Sequence, residues 1–197
     1  MKYINHIYQC CFVLLLLFSS ICFANDNDRI DVNLFISKIK FNEQSNLNSE
    51  VGYGFGISYQ FNKYWNTGMF FQTGDSKLIF DNIGDLGEQY IHTHMLLLKV
   101  GYMALTLPLN LNIHLNAGVG IIIFKTREQQ IFLGGLGEVN IPEKKDTDNL
   151  FVLGAGISKP LSSKLNLMLL PEIFFFNSSN QFSTNFNLSG GISFALY

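Results

Sequence analysis

The sequence predicts an all-β protein, an eight-stranded antiparallel up-and-down transmembrane β-barrel preceded by a cleavable signal peptide. Three observations carry that prediction. The last stretch, Gln181 to Tyr197, alternates strictly: Phe182, Thr184, Phe186, Leu188, Gly190, Ile192, Phe194 and Leu196 share one parity, and Ser183, Asn185, Asn187, Ser189, Gly191, Ser193 and Ala195 share the other. Period two is a strand, and this one exceeds the roughly 9 to 11 residues that cross a bilayer at a tilt. The first residues form a leader. Between the two ends, a 48% hydrophobic content arrives as alternation, with no apolar run near the length of a membrane helix. Alternation suits a closed sheet with one face in lipid, where every backbone polar group must pair within the sheet.

Met1 to Ala24 carries Lys2, an apolar block from Cys11 to Phe18, and Cys22-Phe23-Ala24 before the polar Asn25-Asp26-Asn27-Asp28. A short apolar core before small residues is a secretory signal peptide, so residues 1–24 are assigned to the leader and 25–197 to one barrel domain. A lipid anchor on Cys22 is disfavoured by bulky Ile21. Cys10, Cys11 and Cys22 all lie in the leader, which leaves the mature chain without disulfide or thiol chemistry. A net charge of −2 lacks the basic stripe of a nucleic-acid binder.

The first strand, about Arg29 to Phe41, sets Val32, Leu34 and Ile36 against Asn33, Phe35 and Ser37, with Lys38 and Lys40 continuing the outward parity above the hydrocarbon. After the polar Asn42 to Ser49, the second strand sets Val51, Tyr53, Phe55, Ile57, Tyr59 and Phe61 against Gly52, Gly54, Gly56, Ser58 and Gln60. Alternating glycine leaves room inside a narrow barrel. A turn at Asn62-Lys63 leads to the third strand, with Trp65, Thr67, Met69 and Phe71 outward, and then to an acidic loop, Asp75 to Glu88. The fourth strand, about Tyr90 to Met103, sends Leu96, Leu98, Val100 and Tyr102 out and Met95, Leu97, Lys99 and Gly101 in. A link around Thr106 to Leu109 contains Pro108, and the fifth strand, about Asn110 to Lys125, sends Leu111, Ile113, Leu115, Ala117, Val119, Ile121 and Ile123 out and Asn112, His114, Asn116, Gly118 and Gly120 in. Thr126 to Asp148 reads as the longest loop, solvated because of its glycines and Glu143-Lys144-Lys145-Asp146. The sixth strand, Asn149 to Ser158, faces Phe151, Leu153, Ala155 and Ile157 outward; the seventh, Lys164 to Phe176, faces Asn166, Met168 and Glu172 inward. Asn177 to Asn180 joins it to the eighth.

Connections after odd-numbered strands are polar and mostly long, and those after even-numbered strands are short. Short turns belong to the periplasmic end of such barrels, which places both mature termini there. Tyr64, Trp65, Tyr102 and Tyr197 fall at that end as an interfacial aromatic girdle.

Over the whole mature chain this pattern resembles the small eight-stranded bacterial outer-membrane β-barrel family of OmpA and OmpX type. The resemblance implies that the final strand carries the assembly signal, here Gly191, Phe194 and Leu196 with the terminal aromatic Tyr197, read by the barrel assembly machinery. It further implies a place in the bacterial outer membrane, with outer-membrane lipid and lipopolysaccharide as surroundings. The expected function is non-enzymatic: a structural or surface-interaction role in adhesion or envelope integrity, with a host or envelope ligand met by extracellular loops.

Candidate chemistry is sparse, and no cofactor or metal is expected. His92-Thr93-His94 places two imidazoles on one strand face, like a metal pair, but no third ligand lies nearby in sequence, so the pair reads as interfacial polarity meeting lipopolysaccharide head groups. Gly134-Gly135-Leu136-Gly137 has no following helix to make a phosphate cradle. A lipid A-modifying enzyme is the first rival. No histidine has the serine two positions away that the deacylase family resemblance would require. A small diffusion pore is the second, opposed by the inward bulk of Phe35, Phe70, Met95, Leu97, Met168 and Phe174. The inward charges Lys99 and Glu172 are expected to pair across the lumen, because an isolated charge there is expensive. If the fourth-to-fifth link centres near Thr106, His114 joins them in a structural network.

Overall fold

The computed structural model describes residues 29–42, 47–78, 89–126, 128–133, 137–178 and 181–196, with Leu78, Gln89, 129–133, 137–141, 177, 178, 181 and 182 described by backbone alone. The expected leader, Met1 to Ala24, and Tyr197 lie outside them.

Among the described residues, alternation of side chains generates ten strands: β1 (Arg29–Lys40), β2 (Glu50–Gln60), β3 (Trp65–Leu78), β4 (Gln89–Leu107), β5 (Leu111–Thr126), β6 (Gln129–Leu133), β7 (Gly137–Ile141), β8 (Lys144–Pro160), β9 (Leu165–Ser178) and β10 (Gln181–Ala195). Eight of them close into an antiparallel barrel in the order β1-β10-β9-β8-β5-β4-β3-β2, and β6 pairs with β7 as a separate hairpin. Closure runs along the β1–β10 seam, from Asp31 opposite Ala195 to Lys40 opposite Phe186.

Burial follows the expected parities. On β10, Ser183, Asn185, Asn187, Ser189 and Ser193 are buried in the lumen, whereas Phe186, Leu188, Phe194 and Leu196 are exposed on the outer wall. The outward rows of β2 and β8, Val51, Tyr53, Phe55 and Ile57 and Phe151, Leu153 and Ile157, are likewise exposed. A Cβ at Gly54 would collide with the Phe35 ring, and one at Gly56 with the Phe70 ring. The glycine stripe thus exists to admit the bulky residues beside it.

The turns at one end are short and locally specified. Between β2 and β3, Asn62 Oδ1 accepts the backbone N–H groups of Tyr64 (2.8 Å) and Trp65 (2.9 Å). Between β8 and β9, Ser162 Oγ accepts those of Lys164 (3.2 Å) and Leu165 (3.1 Å). Both are side-chain mimics of a backbone turn. Between β4 and β5, Pro108–Asn110 forms one 3-10 turn, with Leu109 at φ 66° and Asn110 at φ 58°.

Three boundaries differ from the sequence reading. The link between β4 and β5 centres on Leu109, not Thr106, because β4 runs on past Met103 to Leu107, which still pairs with Leu111. Asp75 to Leu78 continue β3. The stretch read as one solvated loop holds the β6–β7 hairpin, and β8 begins at Lys144 opposite Thr126. The charges of Glu143-Lys144-Lys145-Asp146 signal solvent, but a strand that rises beyond the hydrocarbon is wet on both sides and tolerates them. Within the hairpin, Ile131, Phe132, Val139 and Ile141 are good strand formers.

Phe55 and Leu153 sit mid-strand on the outer wall, 53% and 55% exposed. Arginine at either should cost about 2 to 4 kcal/mol near the bilayer midplane. Folding titrations into lipid vesicles should show that loss, and unchanged stability for both variants would contradict the outward assignment.

Candidate functional site: lumen and long-loop end

Inside the narrow barrel, Ile39, Phe41, Met95, Leu97, Ile122, Leu150, Val152, Phe174 and Phe176 pack into an apolar cluster, a plug in the bore. Buried polar side chains flank it at both ends, Glu50, Ser76, Thr93 and Asn185 towards the long loops and Asn33 and Ser193 towards the short turns. The buried carboxylates Glu50 and Glu172 are each held by donors from other strands.

Lys99 on β4 and Glu172 on β9 are brought together, the ammonium on Glu172 Oε1, with the carboxylate 1% exposed at its side chain. Asn187 Nδ2 donates to Glu172 Oε2 at 3.2 Å and to Ser189 Oγ at 3.0 Å. Lys99 Nζ also lies 4.9 Å from the Phe70 ring centre, a favourable cation–π placement. Room for the pair comes from two glycines: a Cβ at Gly154 would lie 2.8 Å from Glu172 Cγ, and one at Gly118 would lie 3.0 Å from Lys99 Cγ.

His114 does not join them. Lys99 stands opposite Gly118, while His114 stands opposite Met103, four residues or roughly 13 Å further along β5. The later centre of the β4–β5 turn is the cause. His114 Nε2 instead meets Ser158 Oγ at 2.7 Å across the β5–β8 pair. Serine and imidazole at that distance resemble part of a nucleophile–base pair, but among the described residues no acid orients the other ring nitrogen.

A second carboxylate was missed from the sequence. Glu50, fully buried at the start of β2, accepts from Ser76 Oγ (2.7 Å) and Thr93 Oγ1 (2.5 Å), both on Oε2. Its side chain lies flat over Gly74, where a Cβ would strike the carboxylate. The available signal was its inward parity with Gly52 and Gly54 at the end of a polar loop.

At the short-turn end, Trp65 and Tyr102 pack with ring centres 4.8 Å apart, and Tyr64 lies 6.3 Å from Tyr102. Tyr59 and Phe61 stack beside them at 6.4 Å and extend the girdle. Gly191 on the seam leaves no space for a Cβ against Phe35, and Phe194 and Leu196 face outward.

Residues 10–194 match the family model described as outer membrane protein beta-barrel domain. No curated protein matches the sequence. Among solved structures, the chain is similar to a major outer membrane protein from Thermus thermophilus, with TM-score 0.55 and 13% identity over 85% of this chain and 99% of that one. It is also similar to Ail, the attachment invasion locus protein of Yersinia pestis, in complex with the heparin analogue sucrose octasulfate, with TM-score 0.51 and 13% identity over 86% and 97%. These likenesses establish the fold.

Removing one partner of the buried pair, as in Glu172→Ala, should destabilise by about 3 to 5 kcal/mol, because it strands a buried charge. Lys99→Met with Glu172→Leu should recover part of that loss. Urea unfolding in detergent would measure both, and additive single and double effects would show that the two residues are not coupled.

Proposed function

Since the chain belongs to the outer membrane protein beta-barrel domain family, and so resides in the bacterial outer membrane, we propose that it is a non-enzymatic surface-interaction and envelope protein. It works from its long-loop end. The carrying observation is the apolar plug, whose buried side chains fill the narrow bore and favour recognition at the rim. The β6–β7 hairpin stands on that rim as a sheet of its own.

Orientation follows from the turns. Barrels of this kind keep short turns in the periplasm, so the termini and the aromatic girdle lie inside and the hairpin faces outward. Gly191, Phe194, Leu196 and Tyr197 serve as the assembly signal for the barrel assembly machinery. The Lys99–Glu172–Asn187 network is structural in this reading, filling and rigidifying the barrel.

Both rivals have a specific obstacle. A diffusion pore is opposed by the plug. A lipid A-modifying enzyme is opposed by the position of Ser158 and His114, which meet inside the barrel at the short-turn half, away from acyl chains. The Yersinia pestis protein's sulfated ligand makes an anionic glycan one partner class to test here.

Deleting Gln129–Ile141 should leave the barrel folded, because its ends are paired neighbours, and should abolish any adhesion or serum resistance that the protein confers on cells. Retention of that gain by a folded deletion variant would refute recognition by the hairpin. Protease added to intact cells should cut within 79–88 or 129–141; cleavage confined to permeabilised cells would invert the orientation.

A further inference from the structure

The outer wall at the long-loop end carries a cluster that none of the foregoing uses. His92 and His94 both face outward from β4, two residues apart and therefore on one side. Strand register gives each a partner on β3: Asp75 stands opposite His92, and Thr73 opposite His94. His92 Nδ1 meets Asp75 Oδ1, and His94 Nδ1 lies 2.9 Å from Thr73 Oγ1. The His94 ring is also stacked on Phe71 at 6.2 Å and 18°. Both imidazoles are thus held through Nδ1, in fixed orientations.

Their other nitrogens are unused. His92 Nε2 is shielded from solvent and has no hydrogen-bond partner, and no described residue bonds His94 Nε2. A cleft of about 310 Å³ opens over the two rings, bordered by Lys125, Glu128 and Glu143. Glu143 is held there by Lys125 at 3.0 Å. A buried, unpartnered imidazole nitrogen beside carboxylates is costly unless something else meets it.

We propose that His92 and His94 form a two-imidazole site for a first-row transition ion such as Zn²⁺, with Asp75 and Thr73 as its positioning residues. Metal-binding histidines characteristically donate their second ring N–H to a carboxylate or another oxygen, which sets the tautomer and leaves Nε2 for the ion. Here Asp75 and Thr73 stand in that role. The binding forms are neutral imidazoles with Nδ1–H directed at those oxygens; any Nε2 proton leaves to solvent when the ion arrives. Asp75 is spent on His92 Nδ1, and among the described residues no group of three or more His, Cys, Asp or Glu is set to hold an ion. The remaining ligands are therefore waters, with Glu128 or Glu143 at the border of the cleft as the carboxylates that can close on the ion. Imidazole selects zinc, copper or nickel over magnesium and calcium, which prefer an all-oxygen shell. Sequence alone showed only the two histidines, and the β3–β4 register supplies what backs them.

The test is calorimetric titration of ZnCl₂ into the folded mature barrel in detergent, without added histidine tags and after chelator treatment. A single ion per chain is expected. His92→Gln and His94→Gln should each abolish the uptake, Asp75→Asn should weaken it by about 10- to 100-fold, and His114→Gln should leave it unchanged. Imidazole NMR of the unmutated barrel gives the same answer without depending on variant folding: Zn²⁺ should move the His92 and His94 resonances and spare His114. The proposal is overturned if the folded barrel takes up no stoichiometric Zn²⁺, if the His92→Gln/His94→Gln double variant still binds it, or if Mg²⁺ competes on equal terms.

Discussion

In hydrocarbon no water is present to satisfy a backbone amide, so a sheet that enters it must have no edge. The β1–β10 seam meets that requirement. Asp31 through Lys40 pair with Ala195 back to Phe186, and without this seam two strands would present unpaired N–H and C=O groups to lipid. Eight strands are few, and closure with so few leaves a lumen only as wide as side chains. The rest of the architecture answers to that width.

A narrow lumen makes volume a local matter between neighbours. Phe35 and Phe70 occupy space that Gly54 and Gly56 relinquish, and Glu172, Lys99 and Glu50 lie over Gly154, Gly118 and Gly74. Polar groups in that space see little water, so their partners must come from other side chains of the lumen. Glu172 finds Lys99 and Asn187, and Glu50 finds Ser76 and Thr93. The Glu172 set joins β4 to β9 and β10, and the Glu50 set joins β2, β3 and β4. Packing and polarity therefore act together to make the interior solid.

A solid interior leaves the wall and the rim to meet the surroundings. The wall does so by composition: Leu, Ile, Val and Phe along its height, with Trp65, Tyr102 and Tyr64 gathered at the short-turn boundary. At the opposite boundary the outward row turns polar, with Asp75, His92, His94 and Lys125. Such a row suits a membrane surface better than hydrocarbon, and the exposed start of β8 and the β6–β7 hairpin belong to the same end of the chain's course.

Fold class, strand parity and the inward placement of Lys99 and Glu172 were legible in the sequence, because a strand's alternation is a local property that survives any arrangement of its neighbours. Val51 to Gln60 and Gln181 to Leu196 declare their faces residue by residue. Register is not local. Whether His114 lies beside Lys99 depended on where the β4–β5 turn centred, and a shift from Thr106 to Leu109 moved it to Ser158. The same limit hid Glu50's hydroxyl partners and the Asp75 and Thr73 contacts of the two outer histidines, all of which are cross-strand neighbours far apart in sequence. Charged residues that mark a loop elsewhere also lie in strand here, with Lys144 to Asp146 exposed on β8 and paired with β5. What the chain determined alone was which way each side chain points; which side chains meet was decided only when the strands closed on one another.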